Sequence, residues 1–140
     1  MKRYPAYKDS GVKWIGDIPA DWVVRKIKHN TYVKGRIGWQ GLKTDEYLSE
    51  GYAYLITGTD FSEGVINWNS CFYVDKARYD EDPHIQLKEG DLLITKDGTI
   101  GKIALIVDMD KPSTLNSGIF LVRPINGNYS TSFLYWVLCS

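Results

Sequence analysis

Cysteine is scarce in this chain. Cys71 and Cys139 are the only two in 140 residues, too few for a disulfide scaffold and without metal-ligand spacing. A reducing cytoplasm is therefore the expected location. Long apolar runs are missing as well: none approaches the ~20 residues that a membrane helix needs, so no membrane association is expected. The opening MKRYPAYKDSGVKWIG starts basic but has no apolar core, which argues against a signal peptide. Histidine is limited to His29 and His84, in unrelated contexts. Both read as surface or internally satisfied side chains rather than ligands or bases.

The motifs of several enzyme classes are lacking too. LLITKDGTIGK (Leu92–Lys102) has the look of a phosphate loop, but Gly98 and Gly101 are too close together. Ile103 also stands where a hydroxyl for magnesium is required. A nuclease of the kind that pairs a carboxylate with a lysine two positions on is excluded, because none of the twelve lysines has that neighbour. No Gly-x-Gly-x-x-Gly follows a strand-like run, so no dinucleotide pocket is expected. Cys71 opens an apolar segment and reads as a buried structural thiol. No catalytic residue, metal or cofactor is assigned to this chain.

What is present is an ordinary globular composition, with 44% apolar and 24% charged residues, and a length suited to a single domain over residues 1–140. The formal net charge of zero hides an asymmetry. Residues 1–43 hold ten Lys/Arg against three Asp/Glu, and residues 44–140 hold seven against fourteen. A basic segment can meet a polyanion, while an overall neutral chain binds one poorly without sequence-specific contacts.

Along the chain, Pro5 and Pro19 keep long helices out of residues 1–21, which read as an arm tacked to a core by Trp14, Ile15 and Trp22. Residues 22–128 read as a strand-rich core. VVRKIKHNTYV (Val23–Val33) fits either a short helix or a strand. KGRIGWQGLKTDEY follows as a loop, since Gly35, Gly38 and Gly41 would each cost a helix about 1 kcal/mol. YAYLITG and GVINW flank TDFSEG and predict a hairpin. CFYVD is a further strand, and ARYDEDPHIQL a polar connection. DLLITK and KIALIVD predict a second hairpin, bent at Asp97-Gly98, and SGIFLVRP adds another strand. Residues 129–140 read as the start of a helix capped by Ser130 or Ser132. So apolar a helix is expected to continue beyond residue 140 or to be covered by a partner. The two LIT phrases, Leu55–Thr57 and Leu93–Thr95, each run into a Thr/Asp/Gly corner and form a faint internal echo.

Base edges in DNA are read by short polar and cationic side chains held on rigid corners. The corners offering them are Arg36/Trp39/Gln40/Lys43, Thr57/Thr59/Asp60, Lys96/Asp97/Thr99/Lys102 and Asn116/Ser117, with Gly38, Gly98 and Gly118 letting backbone N–H groups approach phosphates. Each of these corners is also an ordinary turn. Their shared chemistry is what favours a reading surface.

Three phrases carry a family likeness: YKDSGVKWIGDIPADW (Tyr7–Trp22), LLITKDGTIGKIALI (Leu92–Ile106) and LNSGIFLVRP (Leu115–Pro124). With YLITGTDFSEGVINW and FLYWVLCS in the same order, the chain resembles the specificity subunit of type I restriction-modification systems. The resemblance implies an α+β target-recognition domain, with a double-β-helix-like sheet region, ending here in a short, truncated helix. It implies a non-catalytic role in defence against foreign DNA: reading one half of a bipartite sequence in double-stranded DNA. The implied partners are a methyltransferase subunit, which binds S-adenosylmethionine, and through it a restriction subunit. A complete subunit of that family has two such domains and spacer helices. The chain therefore reads as an N-terminal fragment or truncated product, and as a possible homodimer if it is a half-subunit. The alternative is a protein-interaction module that binds the methyltransferase subunit without specific DNA binding.

Overall fold

Gly11 and Gly16 shape the beginning of the chain. In the computed structural model, which describes residues 3–37 and 42–140, both take left-handed backbone (φ 76° and 72°). They close the connection between β1 (Tyr7–Asp9) and β2 (Asp17–Pro19), an antiparallel ribbon with Tyr7 opposite Pro19. The Asp9 carboxylate accepts from the Gly11 N–H at 2.9 Å and holds the turn. One helical turn, α1 (Ile27–Asn30), ends this first unit, Met1–Asn30. The side chains expected to anchor the arm in a core are instead exposed, Trp14 to 86%. A two-stranded ribbon has no second layer with which to enclose them.

The second unit, Thr31–Ser140, is built on two sheets. The larger has the order β3-β11-β8-β9-β6-β5, formed by β3 (Thr31–Gly35), β5 (Phe61–Ser62), β6 (Val65–Ile66), β8 (Leu92–Thr95), β9 (Ile103–Leu105) and β11 (Ile119–Pro124). The smaller sets β4 (Ala53–Ile56) between β7 (Phe72–Val74) and β10 (Ser113–Leu115). Its β4–β10 pair is parallel, and the β4–β7 pair is antiparallel.

Side-chain alternation along the strands assigns the layers. Leu93, Leu121 and Ile119 of the large sheet meet Tyr54, Ile56 and Leu115 of the small one in the main core. On the opposite face, Leu92 and Val122 meet Leu134 of α3 (Thr131–Cys139). The odd residues of β4, Ala53 and Leu55, pack in a separate cluster with Val74. Strand β4 is thus buried on both faces, which is why its sequence is an unbroken apolar run. Burial of each such Leu or Ile contributes about 1.5–3 kcal/mol relative to exposure.

The structure is α+β and strand-rich, as expected. Strands β1, β2 and β10 add to the predicted elements, and two predicted segments differ. YAYLITG and GVINW do not pair: β4 joins the small sheet, and the hairpin is the short β5–β6 pair, Phe61 opposite Ile66. A tight turn at Gly58–Asp60 separates them, held by the Asp60 carboxylate accepting from the Thr57 N–H at 2.8 Å. The connection ARYDEDPHIQL contains a helix, α2 (Lys76–Glu81), capped by Asp75, which accepts from the Arg78 N–H at 2.8 Å. The ambiguous segment before Val33 is both things in succession, α1 and then β3. The predicted β8–β9 hairpin is present, with Leu93 opposite Ala104. The closing helix is α3, and the Ser130 hydroxyl accepts from the Phe133 N–H.

Candidate nucleic-acid interface

The strand directions gather the predicted corners at one end of the second unit. Strands β4 and β10 run parallel, so Thr57 and Asn116 follow side by side, and the Asn116 N–H donates to the Ile56 carbonyl at 2.9 Å. The chain then turns through Gly118 into β11, whose first residues lie opposite the end of β8. There the Lys96 N–H donates to the Gly118 carbonyl at 2.8 Å. Strand β3, antiparallel to β11, brings Gly35 opposite Phe120. The C-terminal ends of β3, β4, β8 and β10 and the first residues of β11 thus share one rim.

The Lys96–Lys102 corner is a constructed loop rather than a two-residue bend. Gly98 and Gly101 hold positive φ (62° and 86°) with open space around them. Thr95, 3% exposed, closes the base: its hydroxyl donates to the Thr99 carbonyl at 2.6 Å and accepts from the Lys102 N–H at 2.9 Å. The Lys96 ammonium lies 4.5 Å from the centre of the Phe120 ring, a cation–π contact that holds a positive charge in place. The Asp97 carboxylate occupies the space beside Gly118 that a Cβ there would fill. Lys102 is exposed and reaches the Gly58 carbonyl at 3.3 Å, linking this loop to the neighbouring corner.

In that neighbouring corner, the Thr57 and Thr59 hydroxyls are 2.9 Å apart. Asp60 is 2% exposed and accepts from the Thr57 hydroxyl and from Ser70 Oγ, the latter at 2.6 Å. Its carboxylate organises the turn from within. The two LIT phrases therefore end at the same rim, but in different sheets and with different locks, a carboxylate for one and a hydroxyl for the other.

Of the other predicted residues, Arg36 is corrected by the structure. It is 2% exposed, and its guanidinium is ion-paired with buried Asp82. It also donates to the Leu115 carbonyl at 2.9 Å and to Thr114 Oγ1 at 3.3 Å. Burial lowers its pKa, and the Asp82 charge opposes that shift. A guanidinium so committed holds the end of β3 to β10 and the segment after α2; it is not displayed for reading. At Lys43, Glu46 accepts from the backbone N–H at 2.7 Å and stands 3.6 Å from Arg78. Trp39 and Gln40 fall outside the described residues. Sequence reasoning missed Thr95 and Phe120, which shape the corner; the alternation of β8 was the available signal for Thr95. Among the described residues, no group of three or more His, Cys, Asp or Glu is placed to hold a metal ion.

This arrangement has known counterparts. The type I restriction enzyme MjaVIII specificity subunit of Methanocaldococcus jannaschii is 27% identical over 133 residues, 90% of this chain. The HsdS subunit from Thermoanaerobacter tengcongensis superposes on 95% of the chain with a TM-score of 0.64 at 16% identity. A chain from a type I R-M system, solved for its complex assembly and conformational transition, superposes on 89% with a TM-score of 0.65 at 17% identity. In sequence and in fold, the chain is similar to type I restriction specificity subunits. It spans 30% of the length of the curated specificity subunit and 28–30% of these two solved chains. No family model matches it.

Proposed function

We propose that this chain is a DNA target-recognition unit of a type I restriction-modification complex, reading one half of a bipartite sequence without catalysing a reaction itself. The observation that carries this reading is the convergence of Thr57, Thr59, Lys96, Thr99, Lys102 and Asn116 on one rim, in a fold shared with specificity subunits. Hydroxyls and ammonium groups on backbone-locked loops match the chemistry of base edges and phosphates. The partners in this reading are double-stranded DNA, a methyltransferase subunit that carries S-adenosylmethionine, and a restriction subunit reached through it. A homodimer would supply the second half-site reader.

Selection from a pool of randomised duplexes tests the reading. A preferred half-site is expected, with affinity that falls as salt rises. Lys96→Ala and Lys102→Ala should each weaken binding by about 1–3 kcal/mol where the lysine reads a base, or lower the salt slope by about one where it meets a phosphate. A chain that enriches no sequence, at any salt, refutes the proposal.

A second reading rests on the exposed side of α3, where Phe133 is 61% and Trp136 71% exposed. Here the chain is an interaction module that binds the methyltransferase subunit and no specific DNA. Capture of that subunit by a chain that enriches no half-site favours it over the first.

A further inference from the structure

We infer that the Thr95 hydroxyl is the positioning group for the reading rim, fixing the Lys96–Lys102 loop in one conformation and, through Lys102, tying it to the Thr57–Asp60 corner. The inference rests on the proposed DNA-recognition role of that rim.

Four hydrogen bonds converge on this one residue. Its hydroxyl donates to the Thr99 carbonyl at 2.6 Å and accepts from the Lys102 N–H at 2.9 Å. Its own N–H donates to the Lys102 carbonyl at 2.9 Å, and its carbonyl accepts from the Gly101 N–H at 3.0 Å. The two backbone bonds continue the β8–β9 ladder and its closing turn, and any residue at 95 would make them. The two side-chain bonds need a hydroxyl. They reach across the loop to its middle and its far end, so they select one loop shape among those that Gly98 and Gly101 permit.

Burial makes that selection strong. Thr95 lies on the core face of β8, in the row of Leu93, at 3% exposure. The hydroxyl is buried while Thr99 and Lys102 are exposed residues and both bonds are part-buried, so water takes over only part of what the Lys102 N–H and Thr99 carbonyl lose when the hydroxyl is removed. Loss of these two bonds is expected to shift a glycine-containing loop towards other conformations. The Thr95 methyl lies beside Gly58, 3.6 Å from where a Cβ there would stand, an ordinary van der Waals distance. Lys102, whose N–H is held by Thr95, then extends its ammonium to the Gly58 carbonyl at 3.3 Å. The buried hydroxyl therefore sets the relation between two surface corners that would touch the same ligand.

The experiment compares the full chain with Thr95→Val, which keeps the shape and removes the hydroxyl, and with Thr95→Ser, which keeps the hydroxyl. The probes are the duplex enriched by the wild-type chain and a scrambled duplex of the same composition, with amide hydrogen exchange measured in parallel. Thr95→Val is expected to lower the preference for the enriched duplex by about tenfold or more, with binding to the scrambled duplex little changed. It should also speed exchange at the Lys102 amide while the β9 amide of Leu105 stays protected. Thr95→Ser should restore both. If Thr95→Val keeps the wild-type preference, the inference is overturned and the DNA reading survives. A wild-type chain that enriches no duplex overturns both. Should Thr95→Val fail to fold, the wild-type chain still decides: Lys102 amide exchange as fast as that of exposed Ile100 contradicts the inference, and protected exchange together with full preference in Thr95→Ser supports it.

Discussion

Replacing Arg36 with methionine separates a structural arginine from a reading one. The guanidinium and Asp82 form an ion pair in which the side chains are 0% and 1% exposed. Removing one member of a buried pair costs about 3–5 kcal/mol, because the remaining charge is left without compensation. The Leu115 carbonyl and Thr114 hydroxyl also lose a donor, worth about 1 kcal/mol each, while the methionine chain recovers part of the packing. A net loss of about 4 kcal/mol follows. With a urea dependence of about 2 kcal/mol per molar for a domain this size, the unfolding midpoint falls by about 2 M. Arg36→Met combined with Asp82→Leu should regain most of that loss, since the pair is then replaced by apolar groups. Urea titration followed by tryptophan fluorescence reads all three proteins. An unchanged midpoint in Arg36→Met, together with lost DNA preference, would refute the buried-pair argument and return Arg36 to the reading surface.

Two further outcomes follow from the same packing. Burial raises the pKa of both the Cys71 thiol and the Tyr54 phenol, from ordinary values of 9.0 and 10.0. The folded chain therefore keeps protons that the unfolded chain releases. Their contribution is fully present below about pH 9 and is lost as pH rises beyond it; urea midpoints that stay level up to pH 11 would contradict this. At Gly64, φ is +84° and a Cβ would overlap the Tyr135 side chain of α3. Gly64→Ala should therefore cost about 1–3 kcal/mol. An unaltered urea midpoint would show that α3 does not pack over this turn.

Much of the strand content was legible in the sequence because its signals are local. LLIT followed by a glycine-bearing corner and a second apolar run is enough for the β8–β9 hairpin, whose partners are neighbours in the chain. Partners distant in sequence leave no such trace. Strand β4 pairs with β10 in parallel, Leu55 beside Thr114, and a parallel pair has no connecting turn to announce it. The false β4–β6 hairpin arose because spacing suggested a turn, whereas the Asp60 carboxylate had built a different one. Helix α2 was hidden by its polarity. Its support comes from the Asp75 cap and the Lys76–Asp80 pair at 2.7 Å, features of i,i+3 and i,i+4 spacing rather than of hydrophobic period.

The rim shows a sharper limit. Lys102 and Thr99 have the chemistry of reading residues at a corner, and the fold places them on a shared edge. Arg36 has the same chemistry and lies inside. The difference is made by Asp82, which comes 46 residues later and supplies the buried charge that draws the guanidinium inward. Side-chain chemistry alone cannot distinguish these cases, because arginine suits a carboxylate in the core as well as a guanine edge or a phosphate. Thr95 illustrates the converse. It stands within the strand-like run DLLITK, and its place in the Leu93 row buries the hydroxyl under the loop that follows. A polar residue on the apolar face of a strand, next to a glycine-containing corner, has to spend its hydrogen bonds on that corner, since no water can take them. That pattern is visible in LLITKDGTIG, and it points to the loop that the hydroxyl holds.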